Sequence, residues 1–384
     1  MRLMSKRCIV AVALLAAAAH ADAQVRDSRI QRENSGVGTT SGEFLLLGAG
    51  ARGMALGPAS AAVARDIDAL YYNPANLPLM DGRQVGLTVM PYFADTRYMW
   101  AGVGLPVFGG DYAVGFSFSN FGFSGSPQYT AEDPEGEAGL TYGVSESALG
   151  LTFAHAFIDR FTGGITAKFI NDRLGQTSAF GFVVDVGTNY HAELGGKPIA
   201  FSFVIQNLDV FGMGLKQSGP GLAIDADPNT GDPSTPGDVN VDPARGEIQA
   251  SEFPVPVIYR VAVAYDVLAA SDRRLTLLTD FNEPYNTKPG FSLGGEFAWS
   301  PSSTPISAAL RGSYQYQGDN DFAERRGEDF APQVDDVSPS MDGVSFGGGL
   351  GYKLKNNYQI RLDYAFRHFG VMGSSNAFTF ALSW

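Results

Sequence analysis

The sequence predicts an all-β transmembrane fold: a 14-stranded antiparallel outer-membrane β-barrel with an N-terminal hatch inside the lumen. Three observations carry this. The chain opens with an export signal, most of it from residue 84 onward has a two-residue period, and its longest connections fall in alternate positions.

The chain begins MRLMSKR, continues CIVAVALLAAAA and reaches Ala21-Asp22-Ala23. A basic start, a short apolar run and a small-residue site make residues 1–23 a secretory signal peptide, cleaved after Ala23. Residues 24–41 read as a flexible N-terminal segment. Cys8 is the single cysteine and lies within the signal, so disulfides and thiol chemistry are excluded from the mature chain. No later apolar run is long enough to cross a bilayer as a helix. The net charge of −13 argues against nucleic-acid binding, which needs a basic face.

The period of two is clearest in three places. Tyr112, Val114, Phe116 and Phe118 alternate with Ala113, Gly115, Ser117 and Ser119. Phe180, Phe182, Val184 and Val186 alternate with Gly181, Val183 and Asp185. Tyr358, Ile360, Leu362, Tyr364 and Phe366 alternate with Gln359, Arg361, Asp363, Ala365 and Arg367. In a membrane barrel the apolar face meets lipid and the mixed face meets the interior. Fourteen such segments follow in order: 84–92, 97–106, 111–119, 147–156, 161–170, 178–190, 198–206, 257–266, 274–282, 290–299, 305–316, 343–352, 358–367 and 376–384. Together they make residues 83–384 the barrel.

With the N-terminus in the periplasm, connections 107–110, 157–160, 191–197, 268–273, 300–304 and 353–357 face inward, and all are short. The longest, 120–146, 207–256 and 317–342, all face outward. Short periplasmic turns and long outer loops are the asymmetry of such barrels. The C-terminus alternates Phe378, Phe380, Leu382 and Trp384, as in a final outer-membrane strand. Tyr92, Phe93, Tyr98, Trp100, Trp299, Tyr314, Tyr316 and Trp384 lie near strand ends and are expected in interfacial girdles.

The mixed faces carry opposite charges at matching distances from shared turns: Lys168 with Asp185, Arg260 with Asp280, and Glu296 with Arg311. Arg361 and Asp363 add a pair on one strand. The expectation is a lumen of paired charges, because unpaired buried charge is costly.

Several short motifs lose their usual meaning in this context. Gly48-Ala-Gly50-Ala-Arg-Gly53 is a literal G-x-G-x-x-G, with Asp66 and Asp68 further on. A dinucleotide site needs a βαβ unit around it, and antiparallel hairpins follow instead. Ser292 and Ser345 sit in G-x-S-x-G but lie inside strands rather than at a nucleophile elbow, and none of His155, His191 and His368 is forced near them. No enzyme, cofactor or metal centre is therefore expected. Asp225, Asp227 and Asn229 have alternate calcium-loop spacing, but Thr230 stands where that loop needs Gly, which leaves a solvated acidic loop with loose cation association.

Residues 42–82 do not alternate. They are rich in Gly and Ala and form the expected hatch, with a helix over 59–70 and Asn73-Pro74-Ala75 as an N-cap and first helical turn. Arg52, a lone cation early in the segment, is expected to find Asp66, Asp68 or a lumen acid.

The run GARGMALGPASAAVARDIDALYYNPANL resembles the N-terminal signature of the PorV/PorQ family, within the FadL-like outer-membrane barrels. Gly50, Ala51, Arg52, Met54, Asp66, Tyr72, Asn73, Pro74 and Ala75 carry the resemblance. Gln206, Asn207 and Leu208, then Pro256, Arg260, Ala264 and Tyr265, extend it. Leu56-Gly57-Pro58 departs from it, where relatives carry a second Met-Gly-Gly step. The resemblance implies a fourteen-stranded barrel in the Gram-negative outer membrane, in contact with its lipid. It implies a PorV-like role first, binding and transferring secreted proteins in type IX secretion. The alternative it implies is a FadL-like transporter of hydrophobic small molecules, such as fatty acids or aromatic hydrocarbons.

Overall fold

The computed structural model describes residues 40–129, 133–136, 139–175, 177–209, 216–224, 244–249, 253–285, 287, 289–317, 343–369 and 373–384. The expected signal peptide and the candidate calcium loop at 225–230 lie outside them, as do nearly all of loop 317–342 and much of loop 207–256.

The alternating segments form antiparallel strands. They are β1 (Gln84–Pro91), β2 (Arg97–Val107), β3 (Tyr112–Pro127), β4 (Thr141–Ile158), β5 (Phe161–Leu174), β6 (Thr177–Leu194) and β7 (Lys197–Leu208). The short strands β8 (Lys216–Ile224) and β9 (Ala244–Gln249) follow. The rest are β10 (Ile258–Ala269), β11 (Arg273–Pro284), β12 (Gly290–Trp299), β13 (Ile306–Gln317), β14 (Val344–Lys353), β15 (Gln359–His368) and β16 (Ser374–Ser383). β1 pairs with β16, β7 pairs with β10 and β5 pairs with β6, so fourteen strands close on themselves. Closure leaves no unpaired edge in the wall. β8 and β9 are not wall strands: their hairpin extends β6, through pairs such as Ser178↔Ser218.

At one end the connections are short: 108–111, 159–160, 195–196, 270–272, 300–305 and 354–358. Connections 128–140, 209–257 and 318–343 share the other end. The first of these is shorter than the sequence suggests, because β3 and β4 pair up to Pro127↔Thr141, past a bulge between Phe123 and Ser126.

The two faces of the wall differ as the pleat requires. On β4, Leu149, Leu151 and Phe153 are exposed while Ala148, Thr152 and Ala154 are buried. Phe93, Trp299, Tyr314, Tyr316 and Trp384 are likewise exposed. Tyr98 and Trp100 correct the girdle expectation. They share the inner face of β2 and are buried, at 1% and 2% exposure, against the lumen contents. Tyr92 is only partly exposed, packed edge-on to Phe121 and Phe369.

Residues 42–80 fill the barrel and are almost wholly buried. They comprise a 3-10 turn (Glu43–Leu46), helix α1 (Ala51–Leu56), a 3-10 stretch (Gly57–Ala62), helix α2 (Ala69–Tyr72) and a 3-10 stretch (Pro74–Leu79). The expected helix over 59–70 is thus broken. Gly57 has φ +65°, Pro58 follows it, and the Ser60 hydroxyl donates to the Gly57 carbonyl at 2.7 Å. Asp66 and Asp68, poor helix formers mid-run, hold tertiary partners instead.

Candidate functional site

The centre of the molecule is the contact between this inner segment and the wall. It begins with the glycines of G-x-G-x-x-G. Asp68 Oδ2 accepts a hydrogen bond from the Gly53 N–H at 3.1 Å, at the start of α1. The segment's own carboxyl group thus takes the N–H that a bound phosphate would need. Gly50 has φ +70°, and a Cβ there would fall on the Asp68 carboxylate. A Cβ at Gly53 would fall on the Tyr72 ring. These glycines permit close packing within the chain.

Other bonds reach the segment from around the wall. The Ala51 N–H donates to Thr379 on β16 at 2.7 Å, and the Ile67 N–H donates to Gln84 on β1 at 3.1 Å. Ser313 on β13 donates to the Ala55 carbonyl at 3.0 Å. Asn73 accepts from the Ala75 N–H at 3.0 Å, the expected cap. Its amide also donates to Ser202 on β7 at 3.1 Å and to the Thr188 carbonyl on β6 at 3.2 Å. Pro74 starts the following 3-10 stretch, and Met54 packs in the main buried cluster.

Six charged groups form a closed ring. Arg52 donates from Nε and Nη2 to Glu296, both at 2.9 Å. Glu296 also takes Arg311 Nε at 2.7 Å. Arg311 Nη1 reaches Asp363 at 2.6 Å, and Asp363 takes Arg361 Nε at 2.6 Å. Arg361 Nη1 lies 2.7 Å from Asp66 Oδ2, which also takes Arg52 Nη1 at 3.1 Å. The inner segment supplies Arg52 and Asp66; β12, β13 and β15 supply the rest. β14 crosses between Arg311 and Asp363 with Gly349, where a Cβ would strike the Asp363 carboxylate. Three cations face three carboxylates in a low-dielectric interior, so each charge has partners on both sides. Burial opposes the charge on Arg52, but Glu296 and then Asp66 outweigh it and hold its proton more firmly than usual. Asp68 lies outside the ring as a fourth carboxyl. Burial first, and Asp66 second, push it up to about 8.

The remaining predicted pairs are diagonal neighbours. Lys168 Nζ lies 2.7 Å from Asp185, but the register sets Thr166 opposite Asp185. Arg260 Nε lies 3.8 Å from Asp280, with Asn282 opposite Arg260. Glu296 and Arg311 are directly opposed. The offset corrects the expectation of facing partners: long side chains span one diagonal step. Ser292 and Ser345 are buried strand residues. Among the described residues no His/Cys/Asp/Glu cluster could hold a metal ion.

Cavities flank the inner segment at both ends. A polar one of about 440 Å³ lies toward the short-turn end, lined by Arg65, Arg274, Arg361, Lys353 and other residues. A smaller one of about 170 Å³ lies toward the long-loop end. Leu46, Pro58, Tyr71, Tyr72 and Ile258 line it with Arg260, Arg367 and further residues. Sequence reasoning missed Tyr71 as a cavity wall and Asn189, Gln206 and Thr379 as wall partners of the inner segment. Their signal was present only as polar residues on inward faces.

No protein-family model and no curated protein matches the chain. Solved structures do. The CymD monoaromatic hydrocarbon channel aligns with a TM-score of 0.53 at 12% identity, over 88% of this chain and 97% of that one. The Ralstonia pickettii toluene transporter TbuX gives 0.52 at 13% identity, over 88% and 98%. The P. putida toluene transporter TodX gives 0.51 at 14% identity, over 88% and 97%. At these identities the likeness is one of fold: the chain has the architecture of outer-membrane hydrocarbon channels.

Proposed function

We propose that the protein is a plugged outer-membrane channel for a hydrophobic small molecule, of FadL type, with its long loops at the cell surface. The observation that carries this reading is the arrangement of the lumen. Residues 42–80 act as a hatch, with a cavity on either side of them. The one toward the long loops has a volume of about 170 Å³ and a mixed wall, in which Tyr71, Tyr72 and Ile258 stand beside Glu43, Arg260 and Arg367. A cavity of about that size accepts a single aromatic ring. The charge ring is the clamp that holds the hatch against β12, β13 and β15, and the exported barrel resides in the Gram-negative outer membrane. The fold shared with CymD, TbuX and TodX is consistent with passage of small hydrophobic molecules.

The type IX role implied by the PorV/PorQ resemblance ranks second. None of the structures named above is described as a secretion component. Uptake of radiolabelled toluene and palmitate by cells producing the protein, against cells lacking it, tests the order. Faster uptake of either supports the channel. No gain with either, together with stoichiometric co-purification of a secreted protein, overturns it.

A further inference from the structure

The long-loop cavity is lined by a cation with unpaired donors. Arg260 is 6% exposed on the inner face of β10, and it lines that cavity. Neither its Nε nor its Nη1 has a hydrogen-bond partner. Its ion-pair partner Asp280 stands 3.8 Å from Nε, beyond hydrogen-bond reach. Asp280 instead takes Asn282 Nδ2 at 2.9 Å through its other oxygen. Arg367, the second arginine of the cavity, is already engaged. Its guanidinium lies 4.8 Å from the Phe369 ring centroid, and its Nη2 donates to Gln315 at 3.4 Å.

Buried guanidinium donors without acceptors are costly, and a carboxylate satisfies such a donor with a charge-assisted bond. Glu43, Asn282, Thr287 and Gln315 add polar groups to the wall, and its apolar part offers a surface for one flat ring. Tyr71 and Tyr72 meet edge-to-face at 4.8 Å between centroids, and Leu46, Pro58, Ile258 and Pro284 complete the apolar surface. At about 170 Å³ the space suits one ring and is well below the volume of sites that enclose larger ligands.

We propose that this cavity binds a single-ring aromatic carboxylate, with Arg260 taking the carboxylate and the Tyr71/Tyr72 side holding the ring. This rests on the channel reading and narrows its substrate class from hydrophobic small molecules to small aromatic acids. The recognition is ionic at one end and apolar at the other, so neither a long acyl chain nor a neutral ring fills both halves.

The test uses the full-length protein purified in detergent, with ¹⁹F NMR titration of 4-fluorobenzoate and its neutral isosteres 4-fluorobenzamide and 4-fluorotoluene. The wild type is expected to bind the benzoate at least about tenfold more tightly than either isostere, the order expected for a charge-assisted hydrogen bond to a buried guanidinium. Arg260→Met should erase that preference while still binding 4-fluorobenzamide, which shows that the ring pocket has folded. Arg260→Lys keeps the charge and should retain a reduced preference. Arg367→Met should leave the preference largely intact.

Equal binding of benzoate and toluene by the wild type overturns the proposal and leaves the channel reading in place, as does an unchanged preference in Arg260→Met. A preference lost in Arg367→Met but not in Arg260→Met overturns the assignment to Arg260. Failure of all three probes to bind overturns the proposal, and the toluene and palmitate uptake assay then decides separately whether the channel reading stands.

Discussion

Asp68 is the residue whose chemistry departs furthest from its sequence appearance. It sits where a ribose-binding acid would stand, yet it caps α1 through Gly53 and is completely enclosed. Its carboxyl titrates near 8 in the folded protein, against an ordinary 3.8. Its surroundings include Asp66 and Asp363, which disfavour the anion, and Arg361 and Arg52, which favour it. The folded state therefore holds a proton that the released segment gives up. The Asp68 share of the seating of residues 42–80 should be full at about pH 4, weaken as pH rises to about 8, and level off above, while Asp66, which Arg361 and Arg52 hold below the usual carboxylate range against its burial, weakens the seating below about pH 4. Asp68→Asn should flatten that slope, read as the rate of proteolysis of the segment at a series of pH values. A slope unchanged in the variant would assign it to another group. Gly50→Ala acts on the same spot by volume. Its methyl falls on the Asp68 carboxylate, and its φ of +70° disfavours a side chain. The expected cost is about 1–3 kcal/mol of seating, from overpacking alone. The barrel should stay intact, as judged by its heat-modifiable migration on gels.

At the scale of elements, the charge ring couples a segment without regular periodicity to a wall that has it. Its wall half was legible in the sequence. Glu296 and Arg311 lie at equal distances from one turn, so the antiparallel register alone brings them together. The other half was not. Arg52 was expected to find some carboxylate, but its choice of Glu296 across 244 residues depends on how α1 lies in the lumen. No local pattern encodes that placement. The same gap explains the failed helix over 59–70, where composition favoured a helix and the tertiary partners of Asp66 and Asp68 broke it. It also explains Tyr98 and Trp100: alternation says that they share a face, and only the contents of the lumen say that the face is the inner one. The ring itself can be taken apart. Arg52→Met leaves Glu296 with Arg311 and Asp66 with Arg361, so neither acid is orphaned. The expected loss is at the low end of that for a broken buried pair, about 3 kcal/mol. Combining it with Glu296→Gln should cost less than the sum of the two single changes. Urea dependence of protease access to residues 42–80 measures all three, and simple additivity would show that the two groups act independently.

For the whole molecule, wall and contents are separable structures. The fourteen strands close through backbone hydrogen bonds that do not involve residues 42–80. Deletion of that segment should leave a barrel that still folds and conducts ions steadily in planar bilayers, where the intact protein conducts little. The outer surface sets the remaining constraint. Along β4, Leu149, Leu151 and Phe153 are exposed in mid-strand, and Phe157 lies exposed near the turn to β5. If this face meets hydrocarbon, the cost of a charge must depend on its height. Leu151→Arg should destabilise the barrel by about 2–4 kcal/mol near the bilayer midplane, and Phe157→Arg by about 0–1 kcal/mol at the interface. Denaturant midpoints for folding into liposomes give both numbers. Equal costs at the two sites would place them at one depth and contradict the membrane-spanning orientation of β4. A graded cost fixes the height of the membrane on the barrel, and with it the level at which the charge ring crosses the lumen.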